Sequence, residues 1–144
     1  MIKSESSIEI AKPVDEVFRF VDDTSQAPRW LQECVEVTQT SPGPKAVGSR
    51  LHYVYQQGGR RGEMDGEVTA YERDRHLAMR YDDKVFGVEI DFRFAPAAGG
   101  TQVTHVCAIA IKNPVAKLMT PMIRGANEKQ VVANLARLKQ LLEQ

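Results

Sequence analysis

The sequence has 144 residues, of which 42% are hydrophobic and 26% charged, and its 19 basic residues balance its 19 acidic ones. This length fits one domain over residues 1–144, and without a basic stripe we expect no nucleic-acid partner. Since no segment has the length or apolarity of a signal peptide or a membrane span, the expected location is the cytoplasm.

The N-terminal segment changes from an alternating pattern to a helical one. Residues 2–10 alternate apolar and polar side chains, which predicts a strand. Pro13 fits the first turn of a helix, and apolar residues then follow at helical spacing. These residues are Val14, Val17, Phe18 and Val21. Polar residues interrupt this helix, and Ser25 is placed to cap a second short helix that carries Trp30.

The middle of the chain has a period of two, which is typical of strands. Short turns rich in Gly, Pro and Asp separate the alternating segments, so we expect an antiparallel meander. Six further strands are predicted, at 33–40, 49–57, 61–72, 76–83, 86–95 and 101–112. One face of these strands is apolar and the other is charged, so one face needs a cover.

The C-terminal segment can supply that cover. From Pro121 onward the apolar residues form a stripe on a helix of about 23 residues, or about 34 Å. A shorter helical turn containing Leu118 and Met119 precedes it. The predicted fold class is therefore α+β, a helix-grip in which a curved antiparallel sheet of about seven strands surrounds a long C-terminal helix. Two short helices follow the first strand.

Several short motifs occur in an order that resembles a known superfamily. They are IEIAKPVDEVFRFVDD at 8–23, VGSR at 47–50, EVTAYERDRHL at 67–77, FRFAPAAGGTQVT at 92–104 and LARLKQLLE at 135–143. Together they resemble the START-like (SRPBCC) superfamily, specifically its polyketide cyclase/dehydrase and lipid-transport group. This resemblance implies a deep, mostly apolar cavity between the sheet and the long helix. Such cavities take lipids, sterols, polyketides, plant hormones or aromatic compounds.

The strand phases predict which side chains line such a cavity. The expected ligand-binding residues are Trp30, Tyr53, Tyr55, Met64, Tyr81, Phe92, His105, Cys107, Met119 and Met122. A slip of one residue would turn any of these strands inside out. Each residue also fits a purely structural role in the core, and that alternative stays open. Gly62 and Gly66 lie on the same face, where they either leave room for a ligand or bend the sheet.

Two side chains are candidates for acid/base chemistry. His105 is the first, because imidazole titrates near neutral pH, and Tyr53 is the second. The alternative for His105 is a hydrogen-bonded core residue. Cys107 shares its face, but one such pair is not a metal site, and Cys34 is too distant in sequence to complete a CxxC motif. We expect no metal and no cofactor.

These observations favour one function and leave others open. The leading hypothesis is binding or carriage of a small hydrophobic or aromatic molecule in an internal cavity. The alternative is a polyketide cyclase or dehydratase that uses polar pocket residues. A third hypothesis, an interaction module, would require a filled interior and an exposed apolar patch. Trp30 is either a core plug or a ligand contact at the cavity entrance, and a homodimer is among the assembly states that remain open.

Overall fold

A computed structural model describes residues 1–144 and contains one antiparallel sheet. The strands are β1 (Ile2–Ile10), β2 (Cys34–Gln39), β3 (Arg50–Gln57), β4 (Arg60–Glu72), β5 (His76–Asp82), β6 (Phe86–Ala97) and β7 (Gly100–Ile111). Their spatial order is β1-β7-β6-β5-β4-β3-β2. The predicted meander from β2 to β7 is confirmed, and β1 joins its open edge by pairing with β7.

Three α-helices accompany the sheet. They are α1 (Val14–Asp22), α2 (Ala27–Trp30) and α3 (Thr120–Leu142). Short 3₁₀ turns precede α2 and α3, at Thr24–Gln26 and Ala116–Met119. The predicted capping residue is corrected, because Asp23 rather than Ser25 caps the first of these turns: its carboxylate accepts a hydrogen bond of 3.0 Å from the Ser25 backbone N–H. None of the helices combines the length and apolarity needed to cross a membrane.

Burial along α3 is uneven, and this determines where the interior stays open. Its later turns press on β1 and β7 and bury four apolar side chains, each stabilising the fold by roughly 1.5–3 kcal/mol. These are Val131, Leu135, Leu138 and Leu142. At its start, by contrast, Met122 is exposed, as is Met119 just before it. The first half of α3 therefore does not seal against the sheet.

Two bulges and an aromatic cluster shape the rest of the sheet. The register shifts between Cys34 and Glu36 in β2 and between Val68 and Ala70 in β4, and bulges of this kind increase local bend and twist. On the side of α1, Phe18 packs edge-on against Tyr71 and Phe94. The helix-grip predicted from the pattern, with two short helical pieces after β1, is confirmed.

Candidate functional site

A cavity of about 530 Å³ lies between the sheet and the first half of α3. This volume is within the range of about 300–1,000 Å³ that is typical of small-molecule sites. Fifteen of its 21 lining residues are hydrophobic. The lining residues are Glu33, Tyr53, Tyr55, Gln57, Gly58, Arg60, Met64, Tyr81, Val85, Phe86, Val88, Ile90, Cys107, Ile109, Ala116, Met119, Met122, Ile123, Ala126, Asn127 and Gln130.

The cavity has two chemically different ends. One end, which we call the mouth, is formed by the β3–β4 turn at Gly58 and by the exposed Met119 and Met122. The other lies deeper along α3, beside Asn127 and Gln130. Gln130 is eleven positions after Met119, so the lining residues on the helix side span about 16 Å along the helix axis.

The deeper end contains a carboxyl group in a largely apolar setting. Oε1 of Glu33 accepts a hydrogen bond of 3.2 Å from the Tyr53 hydroxyl, and Oε2 accepts one of 2.5 Å from Nε2 of Gln130. We call Glu33, Tyr53, Gln130 and the adjacent Asn127 the polar cluster. Asn127 donates to the Cys107 carbonyl at 3.0 Å, whereas its Oδ1 is buried without a hydrogen-bond partner.

The local backbone explains why Glu33 points inward. The residue lies in the loop between α2 and β2, where two hydrogen bonds hold the chain. The Gln32 N–H donates to Oδ1 of Asn134 on α3 at 3.1 Å, and the Gln56 N–H donates to the Glu33 carbonyl at 2.9 Å. Helix α3 therefore fixes this loop through Asn134 and orients the Glu33 side chain through Gln130.

Burial dominates the electrostatics of the polar cluster. It raises the pKa of the Glu33 carboxyl above its usual value, although the hydrogen bonds from Tyr53 and Gln130 act in the opposite direction. Burial and the neighbouring Glu33 charge also raise the pKa of Tyr53, so this phenol stays protonated. The carboxyl can consequently exchange a proton nearer to neutral pH than an exposed glutamate does.

Tyrosines form one wall of the cavity, and glycines on the neighbouring strand accommodate them. Tyr53 packs edge-on against Tyr55 and Tyr81, with ring centroids 6.1 and 4.9 Å apart. A Cβ atom at Gly62 would lie 2.5 Å from the Tyr55 ring, and one at Gly66 would lie 2.5 Å from the Tyr81 ring. Of the two alternatives for these glycines, room for a ligand is not what the structure shows, since tyrosine rings occupy that space.

Seven of the ten predicted ligand-binding residues line the cavity. These are Tyr53, Tyr55, Met64, Tyr81, Cys107, Met119 and Met122. Contact of these residues with a ligand stays a prediction. Among them Cys107 is a thiol rather than a thiolate, because burial raises its pKa to about 12.

Trp30 and Phe92 are placed elsewhere. Both line a separate space of about 40 Å³, and Tyr53, Tyr81 and Ile90 are shared between that space and the cavity. Trp30 is 2% exposed, and its ring centroid lies 5.4 Å from that of Phe92. Of the two alternatives for Trp30, this position favours the core plug, because α2 directs the indole into the core.

His105 also lies outside the cavity lining. Its ring stacks on Phe92 with centroids 4.4 Å apart, and Nδ1 lies 3.4 Å from the Asp91 carbonyl oxygen. Burial lowers the pKa of His105 to about 4, so the imidazole is neutral at physiological pH. The structure therefore does not bring this acid/base candidate to the cavity, because the rings of β6 and β7 pack around it.

Sequence reasoning missed the polar cluster apart from Tyr53. Glu33 begins the predicted strand 33–40, and the ligand-binding residues predicted from the strand phases do not include it. The available signal was on α3, where Asn127, Gln130 and Asn134 occur at helical spacing beside the apolar stripe. No group of three or more His, Cys, Asp or Glu side chains is arranged to hold a metal ion.

Solved structures with the same fold support this architecture. TTHA0849 from Thermus thermophilus is 16% identical with a TM-score of 0.80, covering 96% of this chain and 94% of that one. A START superfamily protein from Mycobacterium smegmatis is 18% identical with a TM-score of 0.75, at 96% and 98% coverage. The di-domain ARO/CYC BexL from the BE-7585A biosynthetic pathway is 19% identical with a TM-score of 0.73, at 99% and 47% coverage.

Sequence relatives share more identity with this chain but match a smaller part of it. The uncharacterized protein Rv2574 of Mycobacterium tuberculosis is 26% identical over 113 residues, which are 76% of this chain and 66% of that protein. The chain thus spans slightly less than two thirds of the length of this relative. The family model described as polyketide cyclase / dehydrase and lipid transport matches residues 1–143. The chain belongs to the polyketide cyclase/dehydrase and lipid-transport family.

Proposed function

We propose that this protein binds and carries a small hydrophobic or aromatic molecule in the cavity beside α3. The observation that carries the proposal is the 530 Å³ volume with 15 hydrophobic lining residues. The side chains around an empty volume lose packing contacts, so an empty interior of this size is unfavourable. A ligand that fills the cavity would restore those contacts. The third hypothesis, an interaction module with a filled interior, loses its main premise.

The predicted cytoplasmic location stays a prediction.

Adaptable side chains support this proposal. Met64, Met119 and Met122 can change rotamer to fit irregular ligands, and the tyrosines offer rigid aromatic surface. The exposed methionines at the mouth add apolar surface along the entry route. A carrier needs this combination, since its ligand must enter and leave without chemistry.

A ligand screen tests the proposal. Native mass spectrometry of the purified protein should reveal a bound apolar molecule, and a thermal-shift screen of lipids and aromatic compounds should identify stabilising ligands. Binding of any ligand should raise the unfolding temperature according to its concentration relative to its Kd. Absence of both a retained molecule and a stabilising compound would contradict the proposal.

The polar cluster favours a second candidate, a cyclase or dehydratase acting on a polyketide-like substrate. Ionised Glu33 would remove a proton from a carbon next to a carbonyl, and the Tyr53 hydroxyl would stabilise the oxyanion that forms. The proton on Glu33 would then pass to the β-hydroxyl group, which leaves as water. The solved di-domain ARO/CYC proteins share the fold, which is compatible with this chemistry.

Turnover by variants separates this candidate from simple carriage. Glu33→Gln and Tyr53→Phe should abolish product formation while binding of the substrate survives. His105→Phe serves as the control, because its ring lies outside the cavity. Equal product formation by all three variants and the wild type would contradict catalysis by the polar cluster.

A further inference from the structure

The polar cluster has hydrogen-bond acceptors that no donor of the protein satisfies. The Tyr53 hydroxyl and a Gln130 N–H are both directed at Glu33, and an Asn127 N–H is directed at the Cys107 carbonyl. These contacts leave hydrogen-bond acceptors without donors. The acceptors are Oδ1 of Asn127 and further lone pairs on the Glu33 carboxylate. Asn127 is only 1% exposed, so its unpartnered oxygen cannot rely on bulk water.

Charge in the cavity is also one-sided. Glu33 is held by hydrogen bonds alone, and no lysine or arginine pairs with it. The only basic side chain that lines the cavity is Arg60, which begins β4 beside the turn at the mouth. An anionic group placed beside Glu33 would meet a like charge in a poorly hydrated site, whereas a cationic or neutral donor would meet acceptors.

We propose that the ligand is an amphipathic molecule whose polar end donates hydrogen bonds, a primary amine or a hydroxyl, to Glu33 and Asn127. Its apolar part then extends toward Met119 and Met122 at the mouth. This inference rests on the proposed binding function and specifies the class and orientation of the ligand. Molecules that end in a carboxylate are disfavoured in this orientation, and their charge is better accommodated at the mouth near Arg60.

Three probes with one common chain test the inference by isothermal titration calorimetry. They are decylamine, 1-decanol and decanoate, titrated at a mildly alkaline pH into the wild type, Glu33→Gln and Glu36→Gln. The last variant is the matched control, because Glu36 is an exposed glutamate on the neighbouring strand. Thermal unfolding of each variant establishes that it is folded, and the wild-type ranking of the probes needs no variant.

Decylamine should bind the wild type with higher affinity than 1-decanol does, and decanoate should bind more weakly than decylamine by about tenfold or more. Glu33→Gln should weaken decylamine by about tenfold or more and reduce the discrimination against decanoate, and Glu36→Gln should change neither. Equal binding of all three probes, or unchanged decylamine affinity in Glu33→Gln, would overturn this inference while the binding function stands. Failure of every probe to bind the wild type would instead overturn the binding function.

Discussion

The hydroxyl of Tyr53 donates a hydrogen bond of 3.2 Å to Oε1 of Glu33 and so joins the middle of β3 to the loop that precedes β2. The contact places a phenol and a carboxyl group side by side in a cavity whose other walls are mostly apolar. Because apolar surroundings strengthen electrostatic interactions, this pair is expected to control both the pH response of the protein and its choice of ligand.

Glu33 should make the protein less stable as the pH rises. Its folded pKa is raised above the ordinary value of 4.5, so above pH 4.5 the unfolded chain loses this proton before the folded chain does. The free energy of unfolding contributed by this group therefore declines until the pH exceeds the folded pKa. Urea unfolding of Glu33→Gln should lack this decline, and the exposed control Glu36→Gln should retain it. Identical pH profiles for the wild type and Glu33→Gln would contradict the assignment.

His105 should have the opposite effect at acidic pH. Its folded pKa is lowered from 6.5 to about 4, so the unfolded chain binds the proton first as the pH falls through this interval. The free energy of unfolding should then decrease by about 3 kcal/mol between these two pH values. His105→Phe keeps an aromatic ring against Phe92 and should remove that loss. An imidazole that titrates near its ordinary pKa in an NMR experiment would refute this prediction.

Alanine substitutions at the two glycines under the tyrosine rings should differ in cost. A Cβ atom at Gly66 would lie 2.1 Å from the Arg80 carbonyl oxygen, which belongs to the backbone and cannot easily move. Gly66→Ala should therefore lower the free energy of unfolding by about 2 kcal/mol or more. At Gly62 the obstacle is the Tyr55 ring, which can rotate, so Gly62→Ala should cost less and alter ligand affinity instead. If urea unfolding shows the same loss of unfolding free energy for both variants, this distinction is wrong.

Trp30→Phe should affect stability rather than binding. The smaller ring leaves a void beside Phe92, but it also removes an indole N–H that is buried without a hydrogen-bond partner. The two effects oppose each other, and we expect a net loss of about 1–2 kcal/mol in the free energy of unfolding. Decylamine affinity should be unchanged, because Trp30 does not line the cavity. A clear loss of affinity would reassign Trp30 to the binding site.

Local patterns were sufficient to predict the elements of the fold. Alternation identified the strands and their inward faces, since Leu51, Tyr53, Met64 and Tyr81 are buried as the pattern predicts. The predicted C-terminal helix of about 23 residues from Pro121 agrees with the observed Thr120–Leu142. These features succeed because side-chain period follows directly from backbone geometry.

The contents of the cavity were harder to predict because they depend on long-range contacts. Glu33 and Gln130 are 97 positions apart, and only the packing of α3 brings them together. Alternation correctly turned His105 inward, yet it could not show that Phe92 would cover the imidazole. Trp30 likewise depended on the direction of α2. Sequence periodicity assigns a face of the sheet, whereas the distance from α3 decides which part of that face stays open.

The most direct test of the central claim is to fill the cavity from the helix side. Ala126 lines the cavity, whereas Ala136 lies on the exposed face of the same helix, so Ala126→Phe and Ala136→Phe form a matched pair. Calorimetric titration with decylamine should give wild-type affinity for Ala136→Phe and a loss of about tenfold or more for Ala126→Phe. Wild-type affinity in a folded Ala126→Phe variant would contradict the claim that the ligand occupies this cavity.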